Sequence, residues 1–141
     1  MTLPQLPIST PAALLYGIVA AAALIYLPFL LVAAGRAQVG FQAFETPRAL
    51  VDKLPIYAQR ATWAHQNAFE AFVLFTAAAL MAYMTQVTSP SAAWAAIAFV
   101  IARTLYPVFY VVNFVPGRSL MFATGSLSIF TLFALSLKQL G

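Results

Sequence analysis

The sequence has no cysteine among its 141 residues. That excludes a disulfide framework, a thiolate metal site and a cysteine nucleophile, so any thiol chemistry must arrive on a bound molecule. Its single histidine, His65, is too few for a protein zinc centre, which takes three or four ligands, and no metal site is expected. Charge is scarce as well, with seven Lys and Arg and three Asp and Glu. A net charge of +4 spread this thinly forms no clustered basic face, which argues against nucleic acid as a partner. The segment before Pro11 holds no Lys or Arg and so lacks the basic region of a secretory signal. The first apolar run is therefore expected to be retained.

What the chain does have is apolar surface. Hydrophobic residues make up 63% of it, and the mean hydropathy of +0.90 lies far above that of a soluble domain. The length suits one domain, 1–141. Four runs, 11–34, 61–85, 91–113 and 118–137, are long enough to cross a hydrocarbon core, which takes about 20 helical residues. Pro11 suits a helix start, and Gly35 suits a stop just before Arg36. Pro28 and Pro107 lie inside runs, where each should bend its helix and leave a carbonyl for a neighbour to satisfy.

The connections set the orientation. Turns at 86–90 and 114–117 are short, whereas 35–59 is a polar loop with Arg36, Glu45, Arg48, Asp52 and Lys53. Arg60 opens the second run and Arg118 the fourth, while Lys138 alone marks the other side. The positive-inside rule then puts the first and third loops in the cytoplasm and both the N and C termini on the non-cytoplasmic side. Because the backbone must satisfy itself in lipid, the expected fold is all-α: an integral membrane four-helix bundle with four transmembrane helices. Ala77–Ala79, Ala92, Ala93, Ala95 and Ala96 supply the small side chains that close helix packing needs. An alanine-rich, cysteine-free chain with tight turns points to a bacterial inner membrane.

Two of the ten charges, Glu70 and Arg103, fall near the middle of apolar runs. A charge at such depth costs several kcal/mol unless it is paired or watered, so both are functional candidates. Arg60, Trp63, Asn67 and Glu70 fall within about 80° on one helical face at roughly 100° per residue. Arg103, Tyr106, Tyr110 and Asn113 repeat the same spacing on the next helix. The two stripes mirror each other about the turn near Gln86, so Glu70 and Arg103 are expected at similar depth, about 15 Å in from the cytoplasmic end. They are read as an ion pair, within one chain or across a subunit boundary, with a structural role at least as well supported as a direct ligand role. Nearer the surface, Arg36, Arg60, Tyr110, Asn113, Arg118 and Ser119 outline a cationic, hydroxyl-bearing pocket suited to a small polyanion. Taken singly, each is also explained as an interfacial anchor. Arg118 and Ser119 are expected at a helix N-terminus, where free amides favour an anion. His65 lies off the stripe and reads as a hydrogen-bonded interface residue.

Four spans, a polar first loop and the run Ala64-His65-Gln66-Asn67-Ala68-Phe69-Glu70 resemble the MAPEG family, membrane-associated proteins in eicosanoid and glutathione metabolism. The most specific parts are Asn67-x-x-Glu70, Arg103-x-x-Tyr106-x-x-x-Tyr110 and Arg118-Ser119. The resemblance implies a homotrimer that binds glutathione between subunits. It implies Asn67, Glu70, Tyr106 and Tyr110 as glutathione contacts and Arg36 on the carboxylates; Arg60 and Asn113, read from the stripes and the surface pocket, are binding candidates beside them. Arg118 would stabilise the thiolate, with Ser119 as a second donor. The implied chemistry is thiolate attack on a lipophilic electrophile, or reduction of a lipid hydroperoxide. The chain departs from the pattern at Trp63, where well-studied catalytic members carry arginine, and at Gln66, where some carry a second. Two functions stay open: a glutathione-dependent transferase or peroxidase, and a non-catalytic lipid-binding or scaffold protein of the same fold. A small transporter is disfavoured, because ion relays usually need more than one intramembrane carboxylate.

Overall fold

The computed structural model describes Pro4 and residues 6–141. Its long helices are α1 (Thr10–Val39), α3 (Ile56–Met84), α4 (Pro90–Val111) and α5 (Val115–Leu140), with a short α2 (Gln42–Glu45) and a 3₁₀ turn (Val51–Lys53) in the first loop. All four long helices are apolar enough to cross a membrane, as the composition requires. Among the described residues there is no strand.

At 30 and 29 residues, α1 and α3 are about 45 Å long and overshoot a hydrocarbon core of about 30 Å. The excess lies at the end that carries the first loop. Helix α1 runs through Gly35 and Arg36 to Val39 and ends at Gly40, whose N–H donates to the Arg36 carbonyl at φ 117°. Gly35 is therefore no stop. It is buried at the crossing with α3, where an added Cβ would overlap that of Ala58, so its role is close approach. Both interior prolines are accommodated without ending their helices. In the turn that Pro28 opens, His65 Nδ1 on α3 lies 2.8 Å from the Ile25 carbonyl, and the Nδ1–H tautomer donates to it. His65 is thus the interface residue its off-stripe position implies.

Two hairpin turns share one design. The Gln86 and Val87 N–H groups donate to the Tyr83 and Ala82 carbonyls, and the Asn113 and Phe114 N–H groups to those of Tyr110 and Phe109. Each is a Schellman closure with its pivot in the left-handed region, Gln86 at φ 56° and Asn113 at φ 60°. Asn tolerates that conformation better than most residues. The Phe114 ring then packs edge-on against Phe109 at 5.5 Å. At the other end of the bundle, Thr10 Oγ1 donates to the Thr88 carbonyl at 3.2 Å, tying the start of α1 to the α3–α4 turn.

Helix α1 packs mainly on α3, and α4 on α5, with α1–α4 and α3–α5 contacts closing the bundle. The core centres on Phe75 and Phe99, whose rings stack at 3.9 Å. Leu14, Leu132, Ala78, Ala79, Ala82, Ala92 and Ala96 surround them, all buried. Alanine works here because lipid gives little hydrophobic drive between helices, so close van der Waals approach must supply the attraction. Tyr16, Val19, Leu30, Leu127 and Phe130 face outward, a surface suited to hydrocarbon rather than water.

Candidate functional site

Among the described residues, the charged side chain buried inside the bundle is that of Arg103, only 6% exposed. Its Nη2 donates to Asn67 Oδ1 at 2.6 Å and to the Asn67 backbone carbonyl at 3.2 Å. Gly125 on α5 leaves room for the side chain, with Arg103 Cδ 3.5 Å from where a Cβ would stand. From Arg103 a chain of aromatic and cationic contacts climbs toward the loop end. Its Cζ lies 4.6 Å from the Tyr106 ring centroid, Tyr106 and Tyr110 are 5.5 Å apart, and Arg118 Cζ lies 4.6 Å from Tyr110. Asn67, Arg103, Tyr106, Tyr110 and Arg118 thus form one continuous column across α3, α4 and α5. Each guanidinium faces the electron-rich face of a tyrosine ring, which holds the cation while leaving hydrogen-bond donors available.

Glu70 stands apart from this column. Within the chain it forms no ion pair with Arg103, and its Oε1 accepts instead from Gln66 Nε2 at 3.4 Å. The ion pair among the described residues is Lys53 with Asp52 at 3.8 Å, both well exposed and worth little. Geometry explains the difference. Glu70 is rotated about 60° from Asn67 around α3, so Asn67 faces α4 while Glu70 is exposed on the outer surface. It lies about 20 Å into α3 from Ile56, where an isolated carboxylate is costly.

The remaining candidates fall elsewhere. Arg60 Nη1 donates to the Val111 carbonyl at 3.3 Å, so this cation satisfies the last turn of α4 and favours its negative end. Asn113 is the exposed pivot of the α4–α5 turn. Helix α5 begins at Val115, three residues before the sequence reading placed it. The Arg118 N–H is consequently spent on the Phe114 carbonyl at 3.0 Å, and Pro116 has none to offer. Neither Arg118 nor Ser119 offers the free terminal amide expected of them; Arg118 contributes through its side chain alone. Ser119 is exposed, rotated about 100° from Arg118.

Arg36 joins a second feature. With Arg48, Trp63, His65, Gln66, Phe69 and Glu70 it lines an open groove of about 790 Å³ between the first loop and α3. Side chains lean toward the N-terminus of their helix, so an arginine at the C-terminal end of α1 leans back into the membrane. Its Cζ accordingly lies 5.8 Å from the ring of Phe29, two turns deeper. Its Nε is buried without a hydrogen-bond partner, an arrangement that costs about 1–3 kcal/mol. Sequence reasoning missed the groove and Arg48's place in it. The available signal was the proline-punctuated loop, which Gln59 Nε2 pins by donating to the Leu54 and Asp52 carbonyls.

Four membrane-crossing helices, three of which carry an arginine–tyrosine column that runs from buried Arg103 to half-buried Arg118, define a polytopic membrane protein with a polar site that opens toward one end. The chain matches the MAPEG family over residues 13–138, and it belongs to that family. No curated protein and no solved structure matches it.

Proposed function

We propose that the protein is a glutathione-dependent transferase or peroxidase acting on lipophilic substrates, working as a homotrimer in a bacterial inner membrane with the loop end in the cytoplasm. The observation that carries this reading is the Asn67–Arg103–Tyr106–Tyr110–Arg118 column, which lines up cations and hydroxyls of low hydrogen-bond saturation from the bundle interior toward the loop end. Arg103 spends one of its three nitrogens on Asn67, and bulk lipid offers nothing to the others.

The residues present fit glutathione, whose two carboxylates and one ammonium ask for cations and an anion. Arg103 and Arg118 supply cations on the column, Arg36 adds a third from the groove, and Glu70 is the acceptor suited to an ammonium. Bound glutathione supplies a thiol for attack on an electrophile or reduction of a hydroperoxide. Arg118, held against the Tyr110 ring, places a cation at the shallow end; a cation beside a thiol lowers its pKa and raises its thiolate fraction. Tyr106 and Tyr110 orient by their hydroxyls. The exposed position of Glu70 supports the trimer, since a neighbouring subunit would cover a carboxylate that lipid disfavours.

Trp63 favours the second reading, a non-catalytic lipid-binding or scaffold protein. An exposed indole stands where catalytic relatives carry a cation. Glutathione titration into the detergent-purified chain, followed by calorimetry and by thiolate absorbance, separates the two. Saturable binding at millimolar glutathione is expected, with thiolate absorbance lost in Arg118→Ala. No saturable binding in that range removes the enzyme reading and leaves the lipid-binding one.

A further inference from the structure

We infer that the groove between α1 and α4, on the loop side of their two prolines, is a docking site for one acyl chain of a membrane phospholipid. Its cause is a matched pair of bends. Helices α1 and α4 run in the same direction, in a register that a step of 79 residues describes. Thr10 Oγ1 donates to the Ser89 carbonyl at 3.4 Å, and a Cβ added at Gly17 would stand 3.6 Å from that of Ala96. The same step carries Pro28 onto Pro107. A proline in a helix interior removes one ladder hydrogen bond and bends the helix. Two bends at one level let the helices part over their remaining turns. There the groove opens, about 350 Å³ in volume, with Pro28 and Pro107 buried at its floor.

What fills it follows from depth, lining and shape. Pro28 lies about 27 Å along α1 from Thr10, in the loop-side leaflet, where hydrocarbon rather than water reaches it. Every lining side chain is apolar, and Leu30, Leu31, Val108 and Val112 form exposed walls. The volume takes about ten groups of water size, near 30 Å³ each, which suits a stretch of methylenes. A neighbouring helix is the poorer fit. With its side chains it is about 10 Å across, whereas the groove spans less than two turns of α4. Helix pairs in lipid also meet through small residues, and those of this seam, Ala13, Gly17 and Ala96, lie in its other half. The loop-side end supplies the rest of a lipid's chemistry. Helix carbonyls point toward the C-terminus, so the Arg60 guanidinium that reaches the Val111 carbonyl stands just beyond the groove, at the level of Asn113. Arg60 spends one donor on that carbonyl, and a lipid's ester carbonyls are acceptors for the others. An apolar trough that ends at available donors matches a molecule with a hydrocarbon tail and an acceptor-bearing head. The glutathione reading uses neither the groove nor Arg60, so the two stand or fall separately.

The test is tryptophan quenching of the full chain in detergent micelles, titrated with phosphatidylcholine brominated near the headgroup end of its chains. In a Trp63→Phe, Trp94→Phe background, Leu30→Trp puts a reporter on the groove rim and Leu120→Trp puts one on the open face of α5. The two positions are 67% and 61% exposed, and the Phe109–Gly117 contact sets them within about one turn of each other in depth. Leu30→Trp is expected to reach half-quenching at a brominated-lipid fraction roughly fivefold below that of Leu120→Trp, the worth of about one net hydrogen bond. Val108→Phe fills the groove from an exposed position and is expected to bring the two curves together. Identical curves before that change overturn the proposal, since only bulk lipid is then read. An excess that survives Val108→Phe overturns it too. So does a Leu30→Trp reporter that stays unquenched at saturating brominated lipid, which would assign the seam to a neighbouring copy of the chain.

Discussion

Replacing Asn67 by leucine removes the one side-chain acceptor that holds Arg103. The bond is short, at 2.6 Å, its donor is charged, and the arginine is 6% exposed. Hydrogen bonds to charged groups are worth about 1.5–3 kcal/mol, whereas side-chain bonds measured inside membrane proteins average about 0.6 and reach about 1.7. The charge argues for the upper part of the membrane range. The Asn67 backbone carbonyl, which Arg103 Nη2 also reaches, survives the change and limits the loss. Asn67→Leu is therefore expected to cost about 1.5–2 kcal/mol in reversible SDS-driven unfolding followed by far-UV circular dichroism. Arg103→Met removes the charge together with its desolvation cost, so it should lie within about 1 kcal/mol of wild type. With no cation left to strand, the double variant should match Arg103→Met, giving a coupling of about 1.5 kcal/mol. Asn67→Asp, which keeps an acceptor, should rescue. If Asn67→Leu is as stable as wild type, or if the two single changes simply add, Arg103 is not held by Asn67 and the inner end of the column is wrong.

Gly35→Ala should separate α1 from α3 and cost about 1–3 kcal/mol by the same unfolding measurement, with Ala58→Gly restoring much of it. At the α4–α5 turn, Asn113→Gly should be close to neutral and Asn113→Val should cost about 1–2 kcal/mol, because only the latter pays fully for the left-handed backbone. Equal effects there would mean that the Asn113 side chain matters for something besides the turn. Phe75→Ala should cost about 3–5 kcal/mol by opening a cavity against Phe99, and a loss under about 1 kcal/mol would show that the stacked pair is not the centre of the core. On the glutathione reading, Trp63→Arg should tighten glutathione roughly tenfold in calorimetry, the worth of one charge-assisted hydrogen bond.

The four spans were legible because membrane helices need only length and apolarity, and both are written in composition. Their ends were less so. Gly35 looks like a stop by residue type, but the same missing side chain serves close packing, and only the position of Ala58 decides between the two roles. Arg118 looks like a helix start because the charge ends an apolar run, yet the Schellman closure at Asn113 and Phe114 lets α5 begin at Val115. Arg103, Tyr106 and Tyr110 were legible as a unit because spacings of three and four keep them on one helix face.

What spacing could not resolve is which neighbour each stripe residue meets. An 80° sector contains both Asn67 and Glu70, and the roughly 60° between them is enough to send one inward to α4 and leave the other on the outer surface. The long side chain of Arg103 then reaches Asn67, one turn nearer the loop than the carboxylate at equal depth. That partition gives α3 two working faces. Its inner face completes the arginine–tyrosine column, while Trp63, Gln66 and Glu70 on its outer face wall the groove that Arg36 and Arg48 charge. Trp63 belongs to the second face. Its indole therefore leaves the column intact but stands on the face that carries Arg36 and Glu70, where the glutathione reading asks for charge, so it weakens that reading and favours the lipid-binding or scaffold one.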